Sequence, residues 1–309
     1  MTAGRAAADA FALLSDESRV NILRAVAMAQ YEQAPSNAGF EPLSFSEIYD
    51  RVDVDNTSKL SYHLGELTGT YLRKHDGGYS FTHAGDRIVR FILAENFRRP
   101  ADIGSIETSG TCLYCGETTL EARLDEQYFV VRCPTCDRPV TGYTLTPAQA
   151  RARSGETLLE SLKRKQGMEF GLVQAEICPE CAGRMDAAVH SVEELTPLED
   201  VPVSHFTLHD CESCRRRYSG PLPFAAAFRT ASIAFYWERG VDLLGTGWWE
   251  CYRFLRDGCW TSERVGSDPV EYRVVLRHED AELRLVLDDD ARTVRTERVR
   301  TRSGDRSST

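Results

Sequence analysis

Cys112-Leu-Tyr-Cys115, Cys133-Pro-Thr-Cys136, Cys178-Pro-Glu-Cys181 and Cys211-Glu-Ser-Cys214 hold eight of the ten cysteines of this 309-residue chain. Two residues between thiols let both sulfurs of a tight turn face one metal ion, and two such turns complete a tetrahedral four-thiolate site. The 17 residues between Cys115 and Cys133, and the 29 between Cys181 and Cys211, are enough for a hairpin to bring paired knuckles together. The spacing predicts two zinc ribbons, over residues 110–145 and 173–220, each with one structural Zn2+. Disulfides would need an oxidising compartment, and Met1 to Ala12 lacks the basic start and apolar run of a signal peptide. A redox pair would need one such knuckle opening a helix after a strand. Four thiolates could also hold an iron–sulfur cluster. A closed four-cysteine site leaves no position for water, which argues against zinc catalysis.

Working outward, the length suggests two or three domains. The apolar runs are too short to span a bilayer, so no membrane role is expected and the thiols point to the cytoplasm. The net charge of -10 is unusual for a partner of nucleic acid. Lysine occurs only at Lys59, Lys74, Lys163 and Lys165, and arginine supplies the rest of the 37 basic residues. An acidic, lysine-poor, arginine-rich chain resembles proteins of salt-loving archaea, although an ordinary acidic cytosolic protein has the same charge sign. In molar salt the Debye length shrinks to roughly 3 Å, so binding there cannot lean on a large basic field.

In residues 1–100, Ser15 or Asp16 can cap a helix running through Val26. Gln33 to Pro42 reads as a loop. Ser44 to Val52 is a short amphipathic helix, with Ser44 and Glu47 as a capping box. After a turn at Asp53 to Asn56, a helix over Thr57 to Leu67 buries Leu60, Leu64 and Leu67 at i, i+4 and i+7. That stripe leaves Thr57, Ser58, Ser61 and Tyr62 outward, and most of them are small or polar groups suited to phosphates and base edges. Asp76-Gly77-Gly78 is a hairpin turn within Tyr71 to Thr82. Thr82 can cap a last helix with Ile88, Val89, Ile92 and Leu93 inward.

Helix, helix, turn, helix, β-hairpin, helix is the order of a winged helix. On Leu14-Ser-Asp-Glu-Ser-Arg-Val-Asn-Ile-Leu23, Ser58-Lys-Leu-Ser-Tyr-His-Leu64 and Asp76-Gly-Gly-Tyr-Ser-Phe-Thr-His-Ala-Gly85, residues 5–97 resemble the ArsR/MarR-type winged helix-turn-helix regulators. The resemblance implies a recognition helix in the major groove and a hairpin wing on the flanking backbone or minor groove. By position, Thr57, Ser58, Ser61 and Tyr62 would face bases and phosphates, Lys59 and His63 would lie at the rim, and Arg73, Lys74 and His75 would belong to the wing. No cysteine precedes Cys112, so the metal-sensing motif of some members is missing. Residues 1–100 hold 11 Lys and Arg against 13 Asp and Glu. A winged helix used for protein contact is therefore the alternative.

Pro100 to Gly110 reads as a linker. Tyr128 to Arg132 and His205 to His209 are strands leading into knuckles. Residues 146–172 read as a connector helix, whose Arg151, Arg153, Lys163, Arg164 and Lys165 are either a solvated face or a phosphate contact. Arg215-Arg216-Arg217 either balances a formally -2 tetrathiolate zinc or touches nucleic acid. His190, His205 and His209 are expected to be ordinary ribbon residues, since both sets of four ligands are complete. Residues 221–303 predict an α+β domain: helices over Pro223 to Arg239 and Trp248 to Leu255, then four strands of an antiparallel sheet. Ten aromatics between Phe224 and Trp260 could build a core or line a ligand pocket. Cys251 and Cys259 are assigned to that core. Residues 304–309 are expected to be a disordered tail.

The expectation is an α+β multi-domain chain: winged helix, two ribbons and an α+β end. That order is similar to multi-domain winged-helix regulators of halophilic archaea. The resemblance implies a sequence-specific regulator that binds double-stranded DNA as a homodimer, with the rest of the chain serving dimerisation or a small-molecule effector. The competing reading is a basal factor similar to archaeal transcription factor E, which contacts RNA polymerase and promoter, although that family has one ribbon and no such third domain. No nucleophile–base motif, phosphate-binding glycine loop or HExxH occurs, so no enzymatic activity is expected.

Overall fold

A computed structural model of the chain describes residues 2–33, 41–194 and 201–300. It divides into two compact units, 1–99 and 100–309. Most of the loop expected at Gln33 to Pro42, and all of the tail expected at 304–309, lie outside the described residues. Among the described residues, no helix is long and apolar enough to cross a membrane.

The first unit contains α1 (Ala3–Ala12), α2 (Glu17–Glu32), α3 (Phe45–Tyr49), α4 (Thr57–Leu67), a hairpin of β1 (Leu72–His75) and β2 (Gly78–Phe81), and α5 (His83–Leu93). The caps fall where small acceptors precede each apolar run. Asp16 accepts from the Arg19 N–H, Asn56 from Lys59 and Thr82 from Gly85, and Ser44 with Glu47 forms both bonds of a capping box. The α1 helix, for which the sequence reading gives no expectation, opens at Ala3, carries the run Ala6-Ala7-Ala8 and has Thr2 as an N-cap whose side chain makes no capping bond. Ile22, Leu23, Val26, Ile48, Leu60, Leu64, Leu72 and Val89 are fully enclosed in this unit's core.

Leu43 pairs with Tyr79 through two backbone hydrogen bonds, of 2.9 and 2.8 Å, and so lies against the hairpin. Gly78 makes this approach possible. Its φ is +145°, and a Cβ there would collide with the Leu43 carbonyl. Gly78→Ala is expected to destabilise this unit by about 2–4 kcal/mol through steric and backbone strain. All four tryptophans lie beyond residue 236. The effect should therefore appear as faster hydrogen exchange across 41–93, with the tryptophan-monitored transition unchanged.

The second unit holds three antiparallel sheets, each with its strands in sequence order. In the first, β3 (Ile106–Ser109), β4 (Thr119–Asp125), β5 (Tyr128–Arg132) and β6 (Pro139–Thr144) run antiparallel in sequence order. Helices α6 (Pro147–Ala152) and α7 (Gly155–Gln174) follow, and then the second sheet of β7 (Met185–Ser191), β8 (His205–Cys211) and β9 (Arg217–Pro221). Helices α8 (Leu222–Ala227), α9 (Thr230–Trp237) and α10 (Trp248–Arg256) lead into a four-stranded antiparallel meander: β10 (Trp260–Ser267), β11 (Val270–His278), β12 (Ala281–Asp288) and β13 (Thr293–Arg300). Tyr272, Val274 and Leu276 alternate inward with Leu283, Leu285 and Leu287, as the period-two pattern requires.

Four expectations are corrected here. Residues 106–109 are a strand rather than linker, pairing with β4 from Ile106–Ala122 to Ser109–Thr119; four residues give too short a pattern to see in sequence. The helix expected over 146–172 is two helices, broken where Arg153 and Ser154 are extended and Gly155 takes φ +52°. The helix expected over 223–239 likewise breaks at Arg229, whose backbone is extended. The connector is also not a solvated rod. Leu158, Leu159, Leu162, Phe170 and Val173 of α7 are buried in the unit's core, and its basic residues are paired: Lys163 with Glu250 at 2.5 Å, Arg164 with Asp242 at 3.0 Å and Lys165 with Glu169 at 2.7 Å.

The divisions expected at 145, 172 and 220 do not separate cores. One hydrophobic cluster runs from Cys112 to Leu287. Nine of the ten aromatics belong to this core, and the tenth, Trp237, is 68% exposed. Phe224 packs on Trp248, Tyr252 and Trp260, Phe254 stacks on Trp260 at 4.8 Å, and Phe170 meets Trp248 edge-on at 4.7 Å. Cys251 is fully enclosed in it and Cys259 packs at its margin.

Candidate functional site

Two groups of four cysteines gather in the second unit. Cys112, Cys115, Cys133 and Cys136 form one, and Cys178, Cys181, Cys211 and Cys214 the other; within each, all sulfurs lie within 4.8 Å of one another. The closest Sγ–Sγ separations are 3.5 and 3.7 Å in the first and 3.5 and 3.6 Å in the second. A disulfide would bring two sulfurs to about 2.05 Å, and all ten cysteines are free. Four sulfurs about 2.3 Å from a central ion in tetrahedral array would be about 3.8 Å apart. Each cluster can therefore hold one metal ion, and each is compatible with a zinc ribbon.

Each knuckle is the same closed turn. The N–H after the second cysteine donates to the carbonyl of the first: Gly116 to Cys112 (3.0 Å), Asp137 to Cys133 (2.9 Å), Ala182 to Cys178 (2.8 Å) and Arg215 to Cys211 (3.1 Å). The first cysteine's own N–H donates one residue further on, to Glu117, Arg138, Gly183 or Arg216. Closing the turn places the residue after each second cysteine in the left-handed region, with φ of 83, 54, 58 and 62°. Gly116 adopts this freely; Asp137, Ala182 and Arg215 do so at a steric cost. Of these four residues only Gly116 is of a type that favours this region.

The first cysteine of each knuckle is buried, while Cys115, Cys181 and Cys214 are exposed and Cys136 is half-buried. The clusters thus form the edge of the core rather than appendages to it. Burial pushes the Cys112 thiol up to about 12, whereas the Cys214 N–H directed at Cys211 Sγ draws that thiol down to about 6. Among the described residues neither cluster includes a histidine. His209 is enclosed against Phe170 and Gln174, and burial lowers its pKa to about 4, so it is neutral at pH 7. His190 pairs with Glu194 at 3.2 Å, and His205 packs edge-on against Tyr272. Of the three arginines after Cys214, Arg217 forks onto Asp210 at 2.7 and 2.6 Å and Arg216 lies over the Tyr218 ring.

In the first unit, α4 presents Thr57, Ser58, Lys59, Ser61 and Tyr62 to solvent, while Leu60, Leu64 and Leu67 are wholly buried. Arg73, Lys74 and His75 are exposed on the hairpin. His63 departs from the expected rim. It is 3% exposed because it occupies i+3 of the leucine stripe, and its Nδ1 faces Asp16 at 3.9 Å. It cannot reach a partner of this face. Lys59 is partly committed: its Nζ donates to Asp55 at 2.9 Å, and that bond raises the ammonium's pKa. Arg73 donates to the Phe81 carbonyl and His75 meets Ser80 at 2.7 Å, and Lys74 is exposed between them.

A family model described as a domain of unknown function, DUF7351, matches residues 109–293, and a second, DUF7347, matches residues 7–92. No curated protein and no solved structure matches the chain.

Proposed function

We propose that this chain, which belongs to the DUF7351 family through residues 109–293, is a non-catalytic, sequence-specific transcription regulator that binds double-stranded DNA as a homodimer. In this reading the first unit is a winged helix, and each four-cysteine cluster holds a structural Zn2+. The observation that carries it is the division of α4 into a fully buried leucine stripe and an outer face of Thr57, Ser58, Ser61 and Tyr62, beside a hairpin with an exposed Lys74. Small hydroxyls and one aromatic on an exposed helix suit base edges and phosphates. Phe11, Met28, Tyr31 and Phe91 are exposed on α1, α2 and α5, which supports burial of these helices against a second copy. The closed thiolate sites supply rigidity, with no open coordination position for chemistry.

Tyr62→Ala is expected to weaken binding to the preferred site by about 1–3 kcal/mol and to relax the base preference it reads. Lys74→Ala should weaken binding to every sequence alike and make the salt slope shallower by about one. Fluorescence anisotropy with the preferred and a scrambled duplex separates the two outcomes. Equal losses on both duplexes for Tyr62→Ala would show that this residue does not read bases.

A further inference from the structure

The α7 helix is apolar on both sides over its second half. Leu159, Leu162, Phe170 and Val173 face the core. On the opposite side, Met168, Gly171 and Leu172, with Ala175 at the C-cap, follow one another at helical spacing. Met168 is 61% exposed, and Leu172 and Ala175 are exposed as well. The one charge in this stretch, Glu169, is tied to Lys165 and the Tyr143 hydroxyl. A surface helix normally turns charged or polar groups away from the core, and one that is apolar all round is a buried helix. In a chain that is 27% charged, an outward stripe without charge from Met168 to Ala175 asks for a cover.

The surroundings extend the patch. Met168, Ile233, Trp237 and Leu244 line an open apolar recess of about 450 Å³, and Ile177 is exposed beyond the helix end. A standard interface covers about 800 Å² a side, a little over half of it apolar. The exposed parts of Met168, Leu172, Ile177 and Trp237 supply apolar area of the order this requires. Nothing within the chain accounts for Gly171: a Cβ there would meet no atom within 4 Å, and glycine inside a helix is less stable than alanine. A missing side chain on an outer face lets another backbone approach closely.

We propose that the second unit carries its own two-fold contact with a second copy of the chain, α7 packing antiparallel on α7 of the other copy across Gly171. The charges at the ends of the stripe select this partner. Arg164 is 66% exposed beside its bond to Asp242, and Glu176 is 44% exposed beside its bond to Arg292. Positions 164 and 176 are equidistant from 170. An antiparallel copy centred there sets Arg164 against Glu176 of the other copy at both ends, and Met168 against Leu172. Such reciprocity, residue i on j and j on i, is what a two-fold contact demands. Leu172 of the second copy then fills the recess beside Trp237. The inference deepens the homodimer of the proposed function, rests on that part of it alone, and is independent of DNA binding.

Photo-methionine, a near-isosteric diazirine, can replace Met1, Met28, Met168 and Met185. Irradiating a mixture of isotopically heavy and light full zinc-loaded chain, with heavy–light adducts mapped by mass spectrometry, reads this contact through Met168 and that of the first unit through Met28. Met168 should cross-link to residues 164–177 or 233–244 of the other copy. Gly171→Leu should keep or raise the urea midpoint read at the tryptophans, yet weaken the association behind that adduct by about tenfold or more. At the lowest KCl that keeps the fold, Arg164→Glu and Glu176→Arg should each lose the adduct alone and regain it when mixed, since the mixed pair restores opposite charges at both ends. A loss due only to the broken bonds to Asp242 or Arg292 would not return on mixing. Should Gly171→Leu fail to fold, the mixing result still decides. Met28 adducts without Met168 adducts would leave the first unit's homodimer standing and overturn this one. Met168 adducts mapping elsewhere, an undiminished yield in folded Gly171→Leu, or no recovery on mixing would each overturn it too.

Discussion

Cys133→Ser is expected to leave one zinc ion per chain instead of two and to lower the stability of the whole 100–309 unit. The spacing of the knuckles alone suggests two independent ribbons, in which the damage would stay local. The packing argues otherwise. Cys133 is fully buried in the same cluster as Cys112, Cys178 and Cys211. The first knuckle is clamped from far along the chain: Arg256 donates to the carbonyls of Leu113 and Tyr114, and Thr111 N–H donates to the Trp249 carbonyl at 2.7 Å. Structural zinc contributes about 10–16 kcal/mol in small isolated fingers, and a whole domain is typically stable by about 5–15 kcal/mol. Loss of one ion should therefore cost about 5 kcal/mol or more, spread over the unit. Elemental analysis gives the metal count. Urea unfolding followed at the tryptophans gives the stability, since Trp249 packs on Phe129 of the first sheet and Trp248 on Phe170 and Phe224. A variant that keeps two ions, or an unchanged tryptophan midpoint, would contradict a shared core.

The affinity for DNA is expected to fall far less steeply with salt than that of an ordinary basic binder. A protein contacting 6–10 phosphates loses roughly 10³–10⁵ in affinity between 50 and 200 mM salt. Here the net charge is -10, and the candidate face spends its cations locally. Lys59 is tied to Asp55 and Arg73 donates to the hairpin's own carbonyl. About two phosphate contacts per protomer would give a slope near -4 for a dimer, and a loss of about 10² over the same range. Cation uptake between Asp53, Asp55 or Asp76 and phosphate would flatten it further, and binding could then rise with KCl. At low salt, repulsion among unscreened carboxylates should instead loosen the fold. The measurement is log affinity against log[KCl], with the fold checked by circular dichroism at each point. A slope of about -6 or steeper, with full stability in dilute buffer, would return the protein to the class of electrostatically driven binders.

How much was legible in the sequence depended on how local the cause was. The α4 boundaries at Thr57 and Leu67 follow from Asn56 as cap and a leucine repeat, both contained in twelve residues. The strand Tyr128–Arg132 and the alternation in β11 and β12 are equally local. Burial of His63 was also within reach, since i+3 belongs to the same stripe, but its polarity suggested a surface. The left-handed Asp137, Ala182 and Arg215 needed knowledge of the closed knuckle rather than of residue preference. The single core was out of reach. Trp249 Nε1 donates to Thr108 across 141 residues, and no pattern of period two or 3.6 encodes such a contact.

Selection of bound duplexes from random DNA by the full zinc-loaded chain at molar KCl tests the central claim most directly. The account predicts enrichment of a two-fold symmetric site, and loss of that enrichment in a folded variant with Ser58, Ser61 and Tyr62 all changed to Ala. No enriched sequence, or the same site selected by the triple variant, would contradict it.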